Sequence, residues 1–303
     1  MKPRFFCLGI VATATALLTL NPMVRAQNNR TFVSGQGADT NPCALTTPCR
    51  TFQHAHDLTN PGGEITILSP AGYGPVSITK SISIVNDGVG EAGVTAPTGD
   101  AIDINVGPAD VVNLRGLTLV GPGPNFTSST SGVSLNTGGT LNVQNCSIRQ
   151  FIFAIQVNAA GSNLNVQDTN ILGGNSGISS TTSTGFFLFL NRVTIADPQY
   201  GIFLNSNAST PGITGIIANS SVIGAGQVGY LVSGANLLII NSSFIGGTLS
   251  AIFETASGAA YVGGSVLNGS NNTAAFAGAH NHSYGNNSII GGVGNAPASV
   301  ATR

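Results

Sequence analysis

Acid–base bond cleavage needs two positioned carboxylates, or a carboxylate–metal cluster with a base to take the proton. The chain has eleven Asp and Glu among 303 residues. Five of them, Asp87, Glu91, Asp100, Asp103 and Asp110, lie within one short stretch, with Lys80 and Arg115 beside it. Converged, they could hold Ca2+ through oxygen ligands, and Asp100 and Asp103 are the candidate catalytic carboxylates. The alternative is a set of solvated loop charges. From Ser131 to Arg303 the carboxylates are Asp168, Asp197 and Glu254, and the cations Arg149, Arg192 and Arg303. Asp197 precedes Pro198 in a loop and Glu254 stands alone. His280-Asn281-His282 would put two imidazoles on one side of an extended segment, but a metal site needs a third ligand.

What positions these residues is a repeat. Between Ala154 and Ile245 a phrase recurs: a small residue, then aliphatic, any residue, aliphatic, a polar turn, and an alternating apolar run ending at Asn or Asp. Ala154-Ile155-Gln156-Val157 with Leu164 to Asp168 is one copy, and Gly229-Tyr230-Leu231-Val232 with Leu237 to Asn241 another. The landmarks Asp168, Asn191, Asn219 and Asn241 are 23, 28 and 22 residues apart. Period-two alternation inside a period in the low twenties predicts short strands stacked as a solenoid, each unit burying its apolar face on the next. Asn145, Asp168, Asn191, Asn219 and Asn241 then form a ladder of turn residues whose side chains satisfy backbone groups.

Composition agrees. There are 41 glycines, no Trp, 7% charged residues and a formal net charge of −1. That suits an all-β chain of many tight turns and supplies no basic footprint for nucleic acid. Met1 to Ala26 reads as a secretory signal peptide: Lys2 and Arg4, the apolar Phe5 to Leu20, then Val24-Arg25-Ala26 as cleavage site. A retained anchor is the alternative, although the apolar run is short for a bilayer span. After cleavage no membrane span is expected, and the mature chain lies outside the cytoplasm. There Cys43 and Cys49 would oxidise to a local disulfide. A zinc pair would need His54 and His56 as further ligands. Cys146, the odd one, falls in a strand phrase and reads as a buried thiol. Arg50 to Leu58 is the one plausible helix, with Phe52, Ala55 and Leu58 at helical spacing and Asn60-Pro61-Gly62-Gly63 to stop it. Residues 27–63 form a cap, 64–270 the solenoid of roughly eight to ten coils, and 271–303 a frayed coil and tail.

Several of these segments resemble a known group: Phe32-Val33-Ser34, Asp39 through Cys43, Pro48-Cys49-Arg50-Thr51-Phe52, Gly63-Glu64-Ile65 and Ile78 to Ile82. Together they resemble the N-terminal part of secreted bacterial right-handed parallel β-helix proteins of the pectin-lyase-like superfamily. The resemblance implies that fold over the mature chain. It leaves activity open, since members range from polysaccharide lyases and hydrolases to proteins with no known chemistry. Hydrolases of the group use adjacent Asp pairs and a Gly-His-Gly segment, and this sequence has neither.

The outer columns carry a further signal. Taking Val143, Val166, Phe189, Ile217, Ile239 and Tyr261 as inward, the outward columns begin polar with Asn142, Gln144, Asn165 and Gln167. They turn apolar as Leu188, Leu190, Ile216, Ala218, Leu238, Ile240, Ala260 and Val262. In the first strand of each phrase the outward positions run Asp103, Ser134, Gln156, Ser179, then Phe203, Leu231, Phe253. Contiguous apolar surface is normally covered, here by the chain's own loops or by a second copy along the flank Leu188, Leu190, Ile216, Leu238, Ile240. This assignment turns on register, because a slip of one residue exchanges the two faces. The expectation is a non-catalytic protein binding glycans or a protein partner, with Phe203, Leu231 and Phe253, flanked by Tyr200, as binding residues. The rivals are a lyase or hydrolase using the early acidic cluster, and a self-associating surface protein.

Overall fold

The computed structural model describes residues 28–123, 130–180, 185–206, 212–255, 258–268, 274–278, 280–290, 292–294 and 298–299. The expected signal peptide lies outside them. Over these described residues, to which the strand counts below refer, the chain winds as a parallel β-solenoid. Each coil visits three sheets in turn, and every strand pairs in parallel with its counterparts on the adjoining coils. Sheet 1 has twelve strands, among them Asn28–Val33, Thr59–Ile67, Val111–Arg115, Thr140–Gln144, Asn163–Gln167, Phe187–Asn191, Ile213–Ala218, Ala235–Ile240 and Ala259–Gly263. Sheet 3 follows it in each coil, with Ser147–Arg149, Thr194–Ala196, Ser221–Ala225 and Ser243–Gly246 among its ten strands. Sheet 2 closes the coil; its ten include Ile102–Ile104, Ser131–Leu135, Phe153–Val157, Ser176–Ser180, Tyr200–Asn205, Val228–Ser233 and Ser250–Thr255. Pairing does not stop at residue 270: Ser288–Ile290 and Ala298–Ser299 still join their sheets.

Like stacks on like, because alternation is in register from coil to coil. Val143, Val166, Leu190, Ile217, Ile239 and Val262 are successive partners in sheet 1, and all are buried. The small residue that opens each sheet-2 phrase has a steric reason. A Cβ on Gly132, Gly177, Gly201 or Gly229 would come within 2.5, 2.6, 2.6 and 2.1 Å of Ile148, Ile195, Val222 and Phe244 respectively. Those side chains cross the coil from sheet 3, and glycine leaves them the room.

In each coil from strand Val111–Arg115 to strand Ala259–Gly263 a left-handed residue follows the sheet-1 strand. Asn145, Asp168, Asn219 and Asn241 supply it at φ 52°, 49°, 50° and 48°, and Gly116 and Gly264 flank the series. Asn191 does not belong to this ladder. The left-handed residue of its coil is Arg192, at φ 55°, and Asn191 is the last residue of the preceding strand. Arg192 gains a partner there, donating from Nε and Nη2 to the Asp168 carboxylate at 2.6 and 2.8 Å. That contact holds the Asp168 carboxyl below its usual range.

One residue further on runs a second, internal ladder. Thr169, Ser220, Ser242 and Ser265 are buried, and each hydroxyl donates to the carbonyl two residues back at 2.8 to 2.9 Å. The same oxygens accept N–H bonds from the preceding coil: Val193 to Ser220, Ser220 to Ser242 and Ser242 to Ser265, at 3.1 to 3.2 Å. Cys146 holds this position in its own coil, with its thiol donating to the Gln144 carbonyl at 3.3 Å. It is a free, buried thiol, and burial pushes its pKa up to about 11. Native protein at about pH 8 is therefore expected to resist thiol reagents until denatured. Cys146→Ser should fold with stability within about 1 kcal/mol of wild type, whereas Ser242→Ala should lose about 1–3 kcal/mol by stranding the Ser220 N–H. Denaturant titration measures both.

At the N-terminus, Phe52–Leu58 is helical and capped by Thr51, whose side chain accepts the His54 N–H. Phe52, Ala55 and Leu58 are buried. Asn60-Pro61-Gly62-Gly63 is no stop, since the helix passes at Thr59 straight into strand Thr59–Ile67. A disulfide joins Cys43 to Cys49. The enclosed loop is tied to the first strand through Phe32 N–H to the Cys43 carbonyl and Cys49 N–H to the Phe32 carbonyl, each 2.9 Å.

His56 in the helix is buried; its Nε2 accepts the Thr79 N–H at 3.3 Å, and its Nδ1 lies 3.2 Å from Asp57. Burial holds its pKa below the ordinary value, against the pull of Asp57. An unfolded chain then takes up the proton at higher pH than the folded one. This contribution to stability is present above the unfolded imidazole range and is lost as pH falls through it. The melting temperature of the cap is expected to drop on acidification from about pH 7.5 to 5. Under the same scan His56→Gln should flatten that dependence.

Candidate functional site

The outward column of sheet 2 is continuous. Asp103, Ser134, Gln156, Ser179, Phe203, Leu231 and Phe253 are register partners on successive coils, and Phe203, Leu231 and Phe253 are half-buried. Tyr200 packs edge-on against Phe203 with centroids 5.3 Å apart, and its hydroxyl donates to Gln227. Asn175 donates to Gln199 at 2.6 Å on the same side. The early end of the column is an amide network: the Asp103 carboxylate accepts from Asn105 and Asn136, and Asn158 donates to Asn136 at 2.9 Å.

Sheet 1 shows the same change of character on its outer face, with different residues from those expected. Leu188 and Leu190 are fully buried in the core, as are Ala260 and Val262; Phe189 and Tyr261 face outward, half-buried. Aligning Asn191 with the turn ladder shifts that coil by one residue, and five successive apolar residues offer no alternation to correct it. Ile216, Leu238 and Ile240 do lie outward. The outer column therefore runs Asn113, Asn142, Asn165, Phe189, Ile216, Leu238, Tyr261. Its polar end is a chain of amide bonds at 2.8 Å, Asn165 to Asn142 to Asn113. Sheet 3 carries an apolar outer row that the phrase analysis missed, with Leu172, Ile223 and Ile245 exposed by 48, 41 and 44%.

The early acids do not converge. Asp100 accepts the Ser131 N–H at 2.6 Å, and Asp110 accepts from Ser81 Oγ and the Gly107 N–H at 2.6 and 2.7 Å, bonds that lower its pKa. Asp87 pairs with Arg115 at 3.3 Å, and Asp103 belongs to the amide network. These four thus have separate local tasks, Asp103 within strand Ile102–Ile104 and the others in the turns. Among the described residues, one group of three His, Cys, Asp or Glu side chains brings its ligand atoms within 4.8 Å: Cys43, Cys49 and His54. Its two sulfurs are bonded to each other.

Glu254 does not stand alone. It is buried in the sheet-2 strand Ser250–Thr255 and accepts the His280 N–H at 3.1 Å, with His280 Nδ1 3.3 Å away. His282 stacks on Tyr261, rings 4.5 Å apart. The two imidazoles therefore have separate partners, and the buried Asn281 lies between them. Nothing in the sequence around Glu254 announces its burial, because the position is apolar in the coils that stack beneath it (Leu204, Val232).

No protein-family model, curated protein or solved structure matches the chain.

Proposed function

We propose that this chain is a non-catalytic, extracytoplasmic binding protein whose ligand is a glycan lying along sheet 2. One observation carries the reading: the outward row Phe203, Leu231, Phe253, edged by Tyr200, on a column that continues through Gln156 to the network of Asp103 with Asn105, Asn136 and Asn158, the serines between them, Ser134 and Ser179, being buried. Apolar faces suit sugar rings, and amides and hydroxyls suit their hydroxyl groups. The Cys43–Cys49 disulfide is consistent with an oxidising compartment, and among the described residues no helix is long and apolar enough to cross a membrane. Secretion by the leader, a right-handed winding and kinship with the pectin-lyase-like group belong to the same reading. The scattered tasks of Asp87, Asp100, Asp103 and Asp110 weigh against cleavage and against a Ca2+ site.

The test is retardation of residues 27–303 in native gels cast with a panel of polysaccharides. At least one should retard the protein with a Kd between about micromolar and millimolar. Phe203→Ala with Phe253→Ala should abolish the effect while circular dichroism stays unchanged. No retardation across the panel, or new reducing ends that vanish in Asp100→Asn or Asp103→Asn, would refute the reading.

The outer face of sheet 1 favours a second reading, self-association through Phe189, Ile216, Leu238, Ile240 and Tyr261. Light scattering should then give a multimer that Ile240→Lys dissociates without unfolding; a monomeric wild type removes it.

A further inference from the structure

We infer that the ligand of the sheet-2 row is an uncharged, extended 1,4-β-linked glycan. This rests on the glycan reading above and adds the chemistry and geometry of the chain that fits.

The first argument is charge. Beyond Asp197 the sequence has one formally charged side chain before the terminal Arg303, and it is Glu254, buried and turned to the His280 backbone. The cations lie earlier. Arg30, Arg115 and Arg192 are already paired with Glu64, Asp87 and Asp168. Arg50 donates to the Gly72 carbonyl in the cap. A polyuronate or sulfated chain needs guanidinium or ammonium groups along its path, and a cationic polymer needs carboxylates. Of the three coils that carry Phe203, Leu231 and Phe253, the first alone exposes formal charge, Arg192 in its ion pair and Asp197, and both lie outside the sheet-2 strand Tyr200–Asn205 that presents the row. What edges the row is neutral and hydrogen-bonding: Asn205 and Ser233 as register partners beside it, and Gln199 and Gln227 at Tyr200.

The second argument is spacing. Phe203 and Phe253 are two coils apart on one column, with Leu231 between them. Neighbouring strands are about 4.7–4.9 Å apart, so the two rings repeat at about 9.5 Å. In an extended 1,4-β-linked chain each pyranose is turned over relative to the last, so the same face returns once per disaccharide, at closely this distance. Two phenyl groups then meet equivalent sugar faces and Leu231 meets the ring between. A 1,4-α-linked chain curls away from a straight row and cannot keep both contacts. The row is also held still: Ile202, Tyr230 and Ile252, beside it on the same strands, are buried in the core, so little ordering is needed on binding.

Titration calorimetry on residues 27–303 separates the possibilities, with cellohexaose, mannohexaose and chitohexaose as neutral β-linked probes. Maltohexaose is the α-linked control and hexagalacturonate the charged one. At least one of the three β-linked probes should bind at least about tenfold tighter than either control, with affinity unchanged between low salt and about 0.5 M NaCl. Phe253→Ala or Phe203→Ala should each weaken that probe by about tenfold. Tightest binding of hexagalacturonate, or a steep salt dependence, overturns the neutral assignment and leaves glycan binding standing. Maltohexaose binding as tightly as the β-linked probes overturns the spacing argument. Failure of every oligosaccharide and of the wider polysaccharide panel overturns the glycan reading itself, and this inference with it.

Discussion

Phe244→Ala is expected to destabilise the coils around it by about 3–5 kcal/mol. The Phe244 ring is fully buried, crosses the coil from sheet 3, and fills the space that Gly229 leaves open in sheet 2. Truncation leaves a cavity that the neighbouring coils cannot collapse, because their positions are set by parallel pairing on both sides. The complementary change, Gly229→Val, should cost about 1–3 kcal/mol or more by overpacking. Its Cβ would lie 2.1 and 2.3 Å from two atoms of that ring. The two defects are one steric fit seen from opposite sides. Gly229→Ala should therefore be better tolerated with Phe244→Leu than alone, giving a favourable coupling in a double-mutant cycle. Gly72→Ala is the control: its Cβ would meet nothing nearer than 4.0 Å, and near-neutral stability is expected. Additivity of the Gly229 and Phe244 changes in urea titrations would show that they do not share space.

Replacing both Cys43 and Cys49 by Ala should loosen the N-terminal cap by about 2 kcal/mol, the chain-entropy value for so short a loop. The two cysteines are 6 residues apart, and both are buried. The loop between them is pinned to Asn28–Val33, the first strand of sheet 1. In a solenoid each coil contacts mainly its neighbours, so the effect should remain local. Amide exchange in residues 28–58 is expected to speed up by about thirtyfold, while strands such as Ala235–Ile240 keep their protection. A uniform loss of protection along the whole chain would mean that the cap governs the entire stack.

Much of this architecture was legible because it is written by local rules repeated many times. Alternation, small turn residues and a period in the low twenties state a stacked solenoid almost without ambiguity. The helix face Phe52, Ala55, Leu58 and the sheet-2 column Asp103 to Phe253 could be read from spacing alone. Runs without alternation could not. Phe186 to Leu190 are all apolar, so which of them point inward depends on where the next turn falls. That turn is at Arg192, a residue type that gives no hint of left-handed backbone; the neighbouring Asn191 does. One residue of error put Leu188 and Leu190 on the surface and Phe189 in the core. Tyr261 was misread for a related reason, since a large ring beside Ala260 suggests the interior, while Gly264 sets the register the other way.

By itself, then, the sequence determined the class of fold, the coil phrase, the oxidised cysteine pair and the polar-to-apolar change along the outer faces. Each of these depends on residue type and on spacings within a single coil. Tertiary structure alone decided what depends on the coil above or below: that Ser220, Ser242 and Ser265 form one hydrogen-bonded ladder, with Thr169 bonded to Cys146 on the other side of Val193, that Asp87, Asp100, Asp103 and Asp110 are dispersed, and that Glu254 is buried against His280. Those contacts join residues more than twenty positions apart, and no local pattern states which atoms stacking will bring within reach.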